Sequence, residues 1–131
     1  MFKHLTVILA FLITIGSQAT SQAMKTGDVI YCTSDVGAFA QASDNFKLSS
    51  WLNHSFKFQI TKDSGGKQII KFGSGGYFNG STMKVDYFLE GSPLLEASSV
   101  SSKFYLLDGR FNFGTVTGSQ AGFFSGTCDK F

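Results

Sequence analysis

Several stretches of this chain alternate strictly between apolar and polar residues, and a two-residue period suits a half-buried β-strand. Ser55 to Lys62 reads SFKFQITK. Phe56, Phe58 and Ile60 face one way; Lys57, Gln59 and Thr61 face the other. Asp63-Ser64-Gly65-Gly66 supplies turn chemistry, and Lys67 to Gly73, KQIIKFG, returns as a partner strand. Ser81 to Glu90 alternates with Met83, Val85, Tyr87 and Leu89 on one side, although Phe88 interrupts the polar side. Glu90-Gly91-Ser92-Pro93 reads as a turn, and Leu94 to Ser101 as a weaker strand. Ser102 to Leu107 and Arg110 to Thr117 flank Asp108-Gly109, a hairpin dipeptide; Asn79-Gly80 is another. Phe123 to Asp129 reads as the last strand and Asp28 to Ser34 as the first.

About seven or eight strands joined by short turns predict an all-β antiparallel meander. Such a sheet must close into a small barrel or fold into a sandwich to cover its apolar face. The segment Asp35 to Asn53 reads either as one helical turn around Ala38–Ala42 or as irregular strand. Composition agrees with the β reading. The chain holds 15 Phe, 4 Tyr and 1 Trp, with 15 Gly and a single Pro.

Residues 1–23 read as a signal peptide. Lys3 and His4 precede a 12-residue apolar run, LTVILAFLITIG, too short for the roughly 20 residues that span a bilayer. Ser21-Gln22-Ala23 fits a signal peptidase site, and Ser17-Gln18-Ala19 is a second candidate. Residues 24–131 then form one β-rich domain, secreted or periplasmic. Two cysteines in an exported chain predict one disulfide, Cys32–Cys128, joining the first strand to the last. Their distance apart in sequence argues against a C-x-x-C redox pair.

Charge and motifs exclude several function classes. Eleven Lys and Arg against nine Asp and Glu give a net charge of +2, one of those cations lying in the leader. The cations are scattered singly, so no nucleic-acid partner is expected. G-x-S-x-G, H-E-x-x-H and P-loop spacings are absent, and Cys and His are too few for a zinc site. No cofactor, metal or catalytic residue is therefore assigned. His54, beside a turn, reads as a solvated surface residue. Asp86 and Glu90, four apart on one strand face, would lie about 13 Å apart, too far for a glycosidase pair. Asn53-His54-Ser55 and Asn79-Gly80-Ser81 match the glycosylation sequon, which has meaning only in a eukaryotic secretory route.

The aromatics carry the binding potential. Phe56, Phe58, Phe72, Tyr87, Phe111 and Phe113 could line an apolar ligand cavity, as in some small barrels. A Phe-filled core is the favoured account of the same residues, because a domain this small must first fill its interior. Phe131 ends the chain as in outer-membrane barrels, but Ser125, Thr127 and Asp129 hold the positions in phase with it, so an integral membrane barrel is rejected.

Tyr31-Cys32, Val36-Gly37-Ala38-Phe39, Trp51 and the terminal Ser125-Gly126-Thr127-Cys128-Asp129-Lys130-Phe131 resemble a loose, uncharacterised group of small exported bacterial β-proteins. The resemblance implies export and a paired-cysteine β-domain, and it carries no catalytic residues. The expected function is non-enzymatic binding of an envelope component, a protein or an apolar small molecule. The competing class is a secreted enzyme inhibitor or a small hydrolase.

Overall fold

The computed structural model describes residues 22–131; the predicted signal segment lies almost wholly outside them. Nine strands follow in order: β1 (Val29–Gln41), β2 (Ser49–Ser50), β3 (Ser55–Lys62), β4 (Gln68–Phe72), β5 (Thr82–Phe88), β6 (Leu94–Ser98), β7 (Ser102–Leu107), β8 (Arg110–Val116) and β9 (Gln120–Lys130). All neighbours pair antiparallel, and β1 pairs with β9, so eight strands close a barrel while the short β2 is added beside β1. The predicted antiparallel meander is present, and closure takes the barrel form.

The seam is the longest ladder in the molecule. Ile30 to Gln41 pairs with Lys130 back to Gln120, with one irregularity between Ser34 and Val36. Cys32 and Cys128 sit opposite each other in that ladder, Cα atoms 4.0 Å apart, and are disulfide-bonded. This close spacing suits residues directly facing each other on neighbouring antiparallel strands.

Both terminal strands run further than the sequence pattern suggests. Asp35 is an extra residue in β1, so two residues, Asp35 and Val36, face outward in succession. The bulge hides the alternation that resumes at Gly37, Phe39 and Gln41. Ala38 to Ala42 resolves accordingly: strand to Gln41, then a single 3-10 turn, Ala42–Asp44. A second bulge, at Asp86, reverses the phase of β5. Phe88 therefore enters the core and Tyr87 points outward, which accounts for the broken polar face.

The interior is packed with rings. Phe58, Phe72, Phe104, Phe111, Phe113 and Phe124 are fully buried, together with Ile30, Ile60, Ile70, Leu95 and Leu106. Phe56 lies among them, its ring centroid 4.8 Å from Phe78 and 5.2 Å from Phe111. Edge-on contacts dominate, the geometry favoured by the ring quadrupole. The outer wall carries Lys57, Lys71, Lys84, Lys103 and Arg110.

Hairpin chemistry matches the turns. Asp108 and Gly109 both take positive φ (48° and 76°) in the two-residue turn between β7 and β8. Asp63 Oδ1 accepts from the amides of Gly65 and Lys67. Asn79-Gly80 also turns with positive φ, but inside a longer connection between the paired strands β4 and β5 rather than as a two-residue hairpin loop. That connection drops Phe78 into the core, stacked on Phe72 at 3.9 Å.

The two barrel ends differ. At one, Met24 is buried and its backbone bonds Gly91 and Ser92. Glu90 accepts from the Thr26 amide and hydroxyl and fastens the same segment, which holds its carboxyl below the usual range. At the other end the β1–β3 connection, residues 42–54, turns back along β1, where β2 pairs with Ala38 and Phe39.

Candidate binding site at the barrel mouth

The site begins with a close approach. Trp51 donates its amide to the Gly37 carbonyl at 2.9 Å, and a Cβ on Gly37 would lie 2.1 Å from the Trp51 carbonyl oxygen. Only glycine lets the connection pass over β1 here. The chain is held a second time at His54, whose amide donates to Ser34 Oγ and whose carbonyl accepts from the Ser34 amide. These anchors turn the Trp51 indole into the barrel mouth. Its benzo edge lies over Gly122, where a Cβ would be 2.9 Å away.

Trp51 then organises an aromatic group. It makes edge-on contacts with Tyr77 (4.9 Å), Phe124 (4.9 Å), His54 (5.2 Å) and Phe39 (5.8 Å). Above it lies a recess of about 210 Å³, lined by Phe39, Trp51 and Tyr77 with Gln41, Gln120 and Thr115. Gln41 and Gln120 face each other in the β1–β9 ladder. Neither glutamine side chain makes a hydrogen bond among the described residues, and no charged residue lines the recess. Burial raises the Tyr77 hydroxyl pKa, against the opposing effect of the Thr115 hydroxyl.

His54 is not the solvated surface residue expected from its neighbours in sequence. Its ring stacks on Phe124 at 4.5 Å, and Nε2 is buried without a hydrogen-bond partner. Desolvation lowers its pKa below the usual 6.5. The reason was present in the sequence: His54 continues the inward phase of Phe56, Phe58 and Ile60. The contacts around its ring are aromatic, and no carboxylate hydrogen-bonds to it.

The six aromatics proposed as ligand-lining fall into three environments. Phe58, Phe72, Phe111 and Phe113 are core residues with at most 2% of their surface exposed. Phe56 is partly buried against them. Tyr87 is 44% exposed on the outer wall. None of the six lines the mouth recess. The residues that do were missed for identifiable reasons. Phe39 and Gln41 lie beyond the Asp35 bulge, Gln120 falls between the predicted strands that end at Thr117 and begin at Phe123, and Trp51 sits in the irregular segment Asp35 to Asn53.

A larger trough of about 770 Å³ runs over the outer wall, bordered by Leu48, Val100, Val116 and Phe123 and floored by small residues of β1, β8 and β9. It adjoins the mouth recess, with which it shares Phe39, Thr115, Ala121 and Gly122. The described residues contain no group of three or more His, Cys, Asp or Glu placed to hold a metal ion. They also contain no helix long and apolar enough to cross a membrane. Comparison of the chain with protein-family models, with curated proteins and with solved structures finds no match.

Proposed function

We propose that this domain is a non-enzymatic binding protein of an oxidising, exported compartment, and that its binding site is the recess at the barrel mouth. One observation carries the reading. The barrel interior is packed with Phe along its length, yet three aromatics and two unpartnered amides converge on an open space at one end. Concave sites with apolar walls and a few placed polar groups are the usual form of small-molecule sites. At about 210 Å³ the recess has room for about seven waters, so it suits a small ligand rather than a drug-sized one.

Other features support the same reading. A disulfide persists where thiols are not kept reduced. The barrel is apolar inside and lysine-bearing outside, the reverse of a membrane barrel with a polar lumen. His54 is built into packing and lacks the oriented partner that proton transfer needs.

Trp51 is the only tryptophan, so its fluorescence reports the site directly. A screen of small neutral compounds against the exported protein is expected to yield ligands that shift Trp51 emission and the amide resonances of Phe39, Gln41 and Gly122. Ligands that instead perturb only the Met24 end, or a screen in which nothing moves Trp51, would remove this reading.

A further inference from the structure

We infer that the ligand of the mouth recess is an uncharged polyhydroxylated ring, a saccharide, seated with its C–H face on Trp51 and Tyr77 and its hydroxyls on Gln41 and Gln120. The inference rests on the recess being the binding site and names its ligand class.

The lining suits the other classes less well. A charged ligand would lose its hydration in a space that contains no counter-charge, since the polar groups lining it, on Gln41, Gln120, Thr115, Tyr77 and the Trp51 indole, are all neutral. A wholly apolar ligand would seal two amides from water with nothing to bond, a loss of roughly tenfold in affinity for each. A flat heteroaromatic ring has the polar edge that the amides need and can meet one aromatic wall edge-on, but engaging both of its faces takes an offset-stacked slot between parallel walls. The mouth has no such slot. Trp51 meets Tyr77 at 80° and Phe39 at 64°, so the rings form the walls of a cup.

A puckered ring with C–H groups on its faces and hydroxyls around its rim suits that cup. The partly positive C–H hydrogens meet the negative faces of the aromatics. Each glutamine amide offers one acceptor and two donors, and each hydroxyl is donor and acceptor at once. Gln41 and Gln120 occupy directly paired positions, whose Cβ atoms are typically about 5 Å apart. Their two amides can therefore grip neighbouring hydroxyls of one ring. The Thr115 hydroxyl is not counted, because it already bonds Ser102 and the Ser101 carbonyl.

The test titrates the exported protein with glucose, galactose, mannose, N-acetylglucosamine and their disaccharides. Indole and uracil serve as the apolar and heteroaromatic probes, read by Trp51 fluorescence and amide resonances. At least one saccharide is expected to saturate in the millimolar range or below. Gln120→Leu should weaken it tenfold or more while leaving indole unweakened. Gln120→Glu, which keeps the shape and loses the donors, should also weaken it, which separates recognition from misfolding. Saccharides that leave Trp51 silent while indole or uracil binds there would overturn the ligand class and leave the site standing. Saccharide binding unaffected by either variant would overturn the proposed grip. Silence from every probe at Trp51 would defeat both the class and the site.

Discussion

Replacing Cys32 and Cys128 together by alanine removes the covalent closure of the barrel seam, and its effect can be worked from the fold. The two residues are 96 apart in sequence, so the bond restrains almost the whole described chain when unfolded. The loop-entropy relation gives about 4.7 kcal/mol for a loop near 100 residues. On the folded side little is lost, because the β1–β9 ladder extends well beyond the bond in one direction and is continuous around it. Two buried sulfurs leave a small void that adds about 1 kcal/mol. The expected total is about 6 kcal/mol, comparable to the whole stability of a modest domain. In urea the midpoint should fall and the slope m should rise, since an unbridged chain exposes more surface on unfolding. The melting temperature should drop by about 20 °C. A loss under about 1 kcal/mol would refute the argument. So would a loss carried by faster unfolding with unchanged m, because the bond would then act on the folded barrel rather than on the open chain.

Gly37→Ala should displace the 42–54 connection, since the added methyl would overlap the Trp51 carbonyl; a red-shifted Trp51 emission and a loss of about 1–3 kcal/mol check this. Phe104→Ala should cost about 3–5 kcal/mol in chemical unfolding, whereas Tyr87→Ala should stay near 0.5 kcal/mol, and comparable losses would contradict the phase reversal at Asp86. The His54 imidazole should titrate below 6.5 by NMR. Its neutral form is favoured in the folded state, so stability is full above pH 6.5 and falls as pH drops from there toward the lowered folded value; a midpoint above 6.5 would contradict the burial of Nε2.

The sequence by itself determined the class of fold. Alternation in SFKFQITK, KQIIKF and RFNFGTV places the strands, because a residue's side of a sheet depends only on parity. Asp108-Gly109 marks its hairpin, because positive φ at two successive positions is a local demand. The cysteine pair points to closure, because two thiols behind a leader that reads as a signal peptide have one simple use.

The tertiary structure decided what parity cannot carry. A bulge is a single inserted residue, and its local sequence is ordinary; yet Asp35 and Asp86 each reverse every position that follows. That is why Phe39 and Gln41 were invisible as interior residues and why Tyr87 was placed on the wrong wall. The reach of β1 to Gln41 and of β9 back to Gln120 depends on each strand finding the other, since Gly37, Ala38, Ala40 and Gly122 have little strand preference of their own. Trp51 enters the mouth only because Gly37 and Gly122 leave it space from another part of the chain. The core was legible from local pattern. The recess was not, because it is assembled from positions that meet only after the barrel has closed.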